Sequence, residues 1–177
     1  MRSIHSPRGF TLLDILMSMA IVAVLVGIAV PAFSTLIQTT KTRTVTQSLL
    51  GILNYARGEA VSHSTQVVIC PMVDNECTGN WRDPLAVFID NNRDEKINGE
   101  EKVLSVSNII EKGESLNWRA SGNTAYISFD ETGGTGNQNG RLYYCDNAES
   151  PQARAQVIVY RTGRARLPRK SEIRDEC

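Results

Sequence analysis

Residues 9–33 decide the fold, and they read Gly-Phe-Thr-Leu-Leu-Asp-Ile-Leu-Met-Ser-Met-Ala-Ile-Val-Ala-Val-Leu-Val-Gly-Ile-Ala-Val-Pro-Ala-Phe. No charged residue occurs from Ile15 to Thr40, a stretch of 26 residues. Because a helix rises about 1.5 Å per residue, roughly 20 apolar residues are enough to cross the hydrocarbon core of a bilayer. The stretch therefore predicts a helix that can span a membrane.

One acidic residue, Asp14, lies at the start of this apolar run. A carboxylate in such a place is costly and usually marks a function with a partner. Cleavage after Gly9 would create that partner, because the new α-amine of Phe10 could meet Asp14 of a neighbouring copy in a stack of helices. An ordinary secretory signal is the competing interpretation, with residues 29–33 imitating its small-residue cleavage site.

The pattern of Gly9, then Phe10 to Asp14, then an apolar helix containing Pro31, resembles the signal of type IV pilins and type II secretion pseudopilins. The resemblance implies that residues 1–9 are a leader, which a prepilin peptidase removes between Gly9 and Phe10. It further implies N-methylation of Phe10 and a role for Asp14 in subunit assembly. The family usually has glutamate in place of Asp14, so the reach toward a neighbouring amine is one methylene shorter here.

After the apolar run, one helical face carries Val45, Leu49, either Ile52 or Leu53, Ala56 and Ala60. We therefore predict one long helix over about residues 10–62. Residues 10–38 are expected to lie in the membrane and in the filament core, and residues 39–63 are expected to be amphipathic. Residues 64–177 are predicted to form a periplasmic β-rich head. Its predicted strands are Gln66–Pro71, Leu85–Asp90, Lys102–Val106, Leu116–Arg119, Ala125–Phe129, Arg141–Cys145 and Gln156–Arg161. The fold class is α+β, a helix packed on short antiparallel sheets.

The order of landmarks in the head resembles the FimT/GspH family of minor pilins and pseudopilins, which includes FimU-like proteins. The matching pieces are Val-Ile-Cys-Pro (68–71), Trp81, Val-Phe-Ile-Asp-Asn-Asn-Arg-Asp (87–94), Ile-Ser-Phe-Asp (127–130), Leu-Tyr-Tyr-Cys-Asp (142–146) and Thr-Gly-Arg-Ala-Arg (162–166). The resemblance implies the type IV pilin fold, with two small sheets, and a low-copy structural role in a filament.

This resemblance implies a minor type IV pilin that helps to start pilus assembly. The alternatives are an H-type minor pseudopilin of a type II secretion system and, third, a DNA receptor without an assembly role. Its expected partners are other pilins, the prepilin peptidase, the assembly platform and the inner membrane. The expected location is the bacterial inner membrane, held by a single helix, and then the pilus at the cell surface.

The formal net charge is zero, but the charge is unevenly distributed. Residues 151–177 contain seven basic and three acidic residues, which gives +4 at this end. The basic residues concentrate in Arg161, Arg164, Arg166, Arg169 and Lys170, a run that can bind phosphates. In the FimT branch, an element resembling residues 163–166 is associated with DNA binding, so double-stranded DNA is a further expected partner. A solvated basic strand, or a contact to acidic neighbouring subunits, is the alternative.

Four cysteines occur, all beyond residue 69, at spacings of 7, 68 and 32. None forms the close C-x-x-C pair of a typical zinc site, so disulfides in an oxidising compartment are the better interpretation. Four cysteines allow three pairings, which sequence alone does not distinguish. We favour Cys70–Cys77 and Cys145–Cys177.

Residues 90–101 resemble a calcium loop in the spacing of their oxygen-bearing side chains. These are Asp90, Asn92, Asp94, Asn98 and Glu101. However, Glu95 stands where the sharp turn needs glycine, and the flanking segments are predicted strands rather than helices. A solvated hairpin is therefore favoured, with calcium as the weaker alternative and no metal expected.

The sequence gives little support for catalysis. Without the leader, His63 is the single histidine, and it lies near the predicted helix end, where a cation is favourable. The chain contains no recognisable nucleophile elbow, phosphate loop or metal-ligand cluster motif. We therefore predict a structural protein with no cofactor, rather than an enzyme.

Overall fold

The structure is a computed structural model that describes residues 11–99, 101–122, 124–146 and 154–174. One helix, α1, spans Leu12–His63, and a short 3-10 turn spans Lys170–Glu172. The strands are Gln66–Val73 (β1), Glu76–Cys77 (β2), Leu85–Asp90 (β3), Val103–Ser107 (β4), Ser115–Ser121 (β5), Ile127–Phe129 (β6), Asn139–Cys145 (β7), Arg154–Val159 (β8) and Ala165–Arg166 (β9).

Helix α1 begins at a reciprocal cap between Thr11 and Asp14. The Thr11 backbone N–H donates to Asp14 Oδ2 at 3.0 Å, and the Asp14 N–H lies 3.3 Å from Thr11 Oγ1. Such a pair satisfies two of the amide donors that a helix start leaves open. The helix continues through Pro31.

The chain divides into two structural units at Gln38 and Thr39. In the first unit, every residue from Thr11 to Ile37 is exposed, although most are apolar. The apolar part of α1 is long and hydrophobic enough to cross a membrane, with a mean hydropathy of 2.6 over an 18-residue window of which nothing is buried. This unit therefore presents an apolar helical surface.

The second unit contains two antiparallel sheets. The first has the order β2-β1-β3-β4, with β6 also pairing with β1, and the second has the order β5-β7-β8-β9. One hydrophobic core includes residues from both sheets and a buried stripe of α1. The stripe consists of Val45, Leu49, Leu53, Ala56 and Ala60. In β5 the side chains alternate between the two faces of the sheet, so Leu116 and Trp118 are buried while Asn117 and Arg119 are exposed.

The structure confirms the predicted α+β fold of one long helix on antiparallel sheets. Strand β3 has the predicted bounds, and the other predicted strands occur with ends shifted by a few residues. Strand β8 ends at Val159 rather than at Arg161, because the chain turns there. The prediction also missed the two-residue strands β2 and β9, which are too short to show an alternating pattern.

Candidate nucleic-acid interface

The predicted basic run lies largely in the β8–β9 hairpin. The loop closes through two backbone hydrogen bonds, from Gly163 N to Tyr160 O at 2.8 Å and from Tyr160 N to Arg164 O at 3.0 Å. Gly163 has a φ of +71°, a region that favours glycine. A Cβ at this position would lie 1.7 Å from the Gly133 carbonyl oxygen, so no side chain fits. The turn therefore requires the glycine of the Thr-Gly-Arg sequence.

Neighbouring segments hold the backbone of this basic loop in place. Thr135 N donates to the Arg161 carbonyl at 2.9 Å, and Thr135 Oγ1 donates to the Tyr160 carbonyl at 3.1 Å. From α1, Arg57 Nε donates to the Gly133 carbonyl at 3.0 Å. The side chains of Arg161 and Arg164 remain exposed on this fixed backbone. The hairpin therefore presents two guanidinium groups to solvent on a backbone that is already fixed before binding.

Arg166 has a different environment from Arg161 and Arg164. Its guanidinium forms a bidentate ion pair with Glu172, with N–O distances of 2.7 and 2.8 Å. It also donates to the Tyr160 hydroxyl from Nε at 3.1 Å and lies over the Tyr160 ring, 5.3 Å from its centroid. The hydrogen bonds from Arg166 lower the pKa of Glu172 to about 2, helped by the backbone N–H of Arg169. Arg166 is therefore engaged within the chain.

The remaining basic residues of the run follow β9. Arg169 is exposed, and its backbone N–H donates to Glu172 Oε2 at 2.8 Å. Lys170 opens the 3-10 turn. The structure thus brings Arg161 and Arg164 together on one loop, whereas Arg166 and Arg169 lie around Glu172. Sequence reasoning missed Tyr160 and Glu172, because nothing in the local pattern indicates that they bind Arg166.

The calcium-like loop brings three of its predicted residues together. Carboxylate oxygens of Asp90, Asp94 and Glu101 lie within 4.8 Å of one another. Burial raises the pKa of Glu101, and the negative charges of Asp90 and Asp94 raise it further.

Hydrogen bonds within and beside this loop already occupy carboxylate oxygens of Asp90 and Asp94. Gln66 Nε2 and Glu95 N each donate to Asp90 Oδ2 at 3.0 Å. Asn98 Nδ2 and Asn92 Nδ2 donate to Asp94 Oδ2 at 2.6 and 3.1 Å. Amide N–H groups therefore donate to the carboxylates of both Asp90 and Asp94. Glu95, at the place where glycine is usual, has a φ of +58°.

The disulfide and leader predictions fall partly outside the described residues. The structure forms the Cys70–Cys77 bridge, which joins β1 to β2. Cys145 ends β7, but Cys177 lies outside the described part of the chain, so the second bridge stays a prediction.

Residues 1–9 and Phe10, with the predicted cleavage and methylation, also lie outside the described part of the chain. Asp14 is at the start of α1, where its carboxylate caps the helix.

Comparison with known proteins decides the family. The sequence profile of the type II transport protein GspH matches residues 45–163, which is more than half of the chain. The chain belongs to the GspH family. The fold agrees with this assignment, because solved structures of a minor pilin and of a minor pseudopilin share it. A search of curated protein sequences finds no match.

Solved structures share the fold of this GspH-family chain. Two crystal forms of the type IV minor pilin FimU from Pseudomonas aeruginosa match with TM-scores of 0.51 and 0.52, at 15% and 18% identity. They cover 75% and 73% of this chain and 91% and 94% of FimU. The minor pseudopilin EpsH of the Vibrio cholerae type 2 secretion system matches with a TM-score of 0.53 at 14% identity, covering 72% of this chain and 96% of EpsH. At these identities the likeness concerns the fold.

Proposed function

We propose that this GspH-family chain is a minor type IV pilin that helps to start pilus assembly and binds double-stranded DNA through its β8–β9 hairpin. The exposed pair Arg161 and Arg164, on a backbone fixed by Gly163 and Thr135, is the observation that carries the DNA part. The apolar, exposed first unit supports membrane anchoring followed by stacking with other pilins. Cleavage after Gly9 by a prepilin peptidase, with methylation of Phe10, releases the subunit for assembly.

Binding at this hairpin is expected to be driven by the DNA backbone. Arginine forks match phosphate oxygens in pairs, and such contacts carry no sequence information. We assign Arg166 a positioning role, because its guanidinium is held by Glu172 and Tyr160. Arg169 and Lys170 supply further positive charge along the same segment.

The DNA proposal is tested with the full mature chain in detergent micelles and a fluorescently labelled duplex. Wild-type binding should weaken steeply as salt rises, because each neutralised phosphate adds about 0.9 to the slope of log K against log salt. The double variant Arg161→Gln/Arg164→Gln should lose about 1.8 from that slope and bind at least tenfold more weakly. Arg82→Gln, which removes an exposed arginine from another loop, is the matched control. Equal binding by wild type and double variant would refute the proposal.

An H-type pseudopilin of a type II secretion system is the second candidate. The GspH profile match and the fold shared with EpsH favour it. The two candidates differ in the machine that incorporates the subunit. Deletion of the gene should reduce surface pili and DNA uptake and leave protein secretion intact. A secretion defect with normal piliation would instead establish the pseudopilin.

A further inference from the structure

We propose that the tail segment, residues 167–174, forms a contact surface for the anionic phospholipids of the membrane that holds α1. This inference rests on the proposed membrane anchoring and adds a second contact between the subunit and the membrane. The apolar residues that carry it, Leu167 and Ile173, belong to no motif of the sequence.

Two aliphatic side chains of the tail segment face solvent. Leu167 is 42% exposed and Ile173 is 57% exposed. Both border one groove, which Thr46 of α1, Ala155 of β8 and Pro168 also line. Scattered apolar side chains are ordinary on a protein surface, but apolar residues gathered around one groove mark a contact surface.

The groove lies close to the point where α1 leaves its uncharged stretch. That stretch ends at Thr40, and Thr46 lies six residues further along the same helix, which is about 9 Å. The hydrocarbon core of a bilayer is covered on each side by a headgroup layer of roughly 5–8 Å. A helix that leaves the hydrocarbon at Thr40 therefore places Thr46 at the outer edge of the headgroups.

Exposed arginines accompany the apolar side chains. Arg43 is exposed and lies three residues before Thr46, so it is on the same side of α1 and one turn closer to Thr40. Arg174 is exposed and lines the groove itself. An arginine near an anionic leaflet is attracted by the surface potential of the phospholipids.

The acidic residues around this surface do not cancel its charge. The carboxylate of Glu172 is bound by the Arg166 guanidinium at 2.7 and 2.8 Å. Glu111 lies 2.8 Å from Lys41 Nζ. Lys41 is two residues from Arg43, and therefore about 200° around the helix from it. The groove side of α1 thus keeps a positive charge.

The backbone of the tail segment is held to the second sheet. Arg141 Nη1 donates to the Glu172 carbonyl at 2.6 Å, and Gln156 Nε2 donates to the Arg174 carbonyl. Ile173 is therefore exposed on a fixed backbone, and little order is lost on contact. Aliphatic side chains beside arginines are typical of segments that lie in the membrane interface, which favours lipid over a neighbouring subunit.

The test places the full mature chain in lipid nanodiscs and uses tryptophan fluorescence, since Trp81 and Trp118 are buried and contribute equally in every variant. Ile173→Trp should be quenched by phosphatidylglycerol that is brominated near the headgroup end of its acyl chains. Val61→Trp is the matched control and should be quenched little. Val61 is 50% exposed, but it lies 21 residues beyond Thr40, about 31 Å along α1. Leu167→Trp is the second reporter if Ile173→Trp disturbs folding.

The part played by charge is measured with the same reporter. Each arginine near an anionic surface contributes about fivefold to the ratio of lipid-contacting to free heads, so Arg43→Gln/Arg174→Gln should lower that ratio about 25-fold. Arg43→Lys/Arg174→Lys keeps the charge and should retain the quenching. Brominated phosphatidylcholine, which has no net charge, should quench Ile173→Trp less than the phosphatidylglycerol does.

Each other result overturns the inference. If the chain enters the nanodiscs but Ile173→Trp is quenched no more than Val61→Trp, the anchoring stands and the groove is left to a neighbouring subunit. If both lipids quench equally, or if Arg43→Gln/Arg174→Gln changes nothing, the anionic headgroups are not recognised. If the chain does not enter the nanodiscs, the proposed anchoring and this inference fail together.

Discussion

At the scale of the residue, Gly163 connects the sequence motif to the position of the basic loop. Its φ of +71° and its approach to the Gly133 carbonyl both exclude a side chain. Arg161 precedes Gly163 by two residues and Arg164 follows it directly. The turn therefore determines where their guanidinium groups lie. The proposed DNA binding would therefore depend on Gly163 through the backbone position that it fixes.

Replacement of Gly163 by alanine is expected to destabilise the fold by well over 1 kcal/mol, because the left-handed backbone and the contact with Gly133 both oppose a Cβ. Gly136→Ala is the matched control, since Gly136 also has a positive φ, +56°, but has open space around its Cβ position. Chemical denaturation of both variants should show the larger loss for Gly163→Ala. Equal losses would mean that the Gly133 contact contributes nothing.

A second residue-scale feature is the ion pair between α1 and the head. Lys41 Nζ lies 2.5 Å from Glu114 Oε1, and the Glu114 side chain is only 1% exposed. Burial raises the pKa of Glu114, but hydrogen bonds from the Glu111 N–H and Lys41 outweigh it, and the net shift is downward. Since its folded pKa lies below the unfolded value of about 4.3, Glu114 contributes stability above that pH and loses it as the pH falls.

Lys41→Met should therefore destabilise the protein by about 1–3 kcal/mol at neutral pH, because it leaves a buried carboxylate without its counter-charge. The difference from wild type should shrink as the pH falls below the unfolded pKa of about 4.3, because protonation of Glu114 removes the charge that Lys41 compensates. Thermal unfolding across this pH range provides the measurement, and Lys112→Met, at an exposed lysine, provides the control. A Lys41→Met penalty that is constant with pH would contradict this role.

At the scale of the element, the bounds of α1 were predictable nearly to its ends. A long uncharged apolar run predicts its first part, and apolar residues at helical spacing predict the buried stripe of its second part. Strand β3 was equally clear, since all six of its residues are buried. The two-residue strands β2 and β9 were not predictable, because long-range pairing rather than local pattern creates them. The end of β8 was also missed, since the Tyr160–Arg164 turn depends on the approach of Gly133.

The start of α1 yields a prediction about assembly. Asp14 caps its own helix through Thr11, and the proposed assembly requires the same carboxylate to meet the amine of a neighbour. Asp14→Asn is expected to reduce incorporation into filaments severely, because a neutral amide cannot pair with an ammonium group. Asp14→Glu, which keeps the charge, should assemble. Immunoblots of sheared filaments measure incorporation, and normal levels of Asp14→Asn would rule out the charge pair.

At the scale of the whole molecule, the sequence was sufficient for the fold class and the family resemblance, because the leader motif and the order of landmarks are spread along the chain. The candidate site was predictable only in part. Arg161 and Arg164 are visible as a basic run, whereas the contacts of Arg166 with Glu172 and Tyr160 arise from the way the chain folds back after β9. No periodic sequence pattern indicates that these side chains meet.

The central claim is that an apolar helix, freed of its leader, becomes the stacking element of a filament subunit. Intact-mass and peptide mass spectrometry of the protein purified from its native membrane tests this claim most directly. We predict a mature chain that begins at Phe10 and carries one N-methyl group. A chain that retains residues 1–9, or that begins within or beyond the apolar run, would contradict the account.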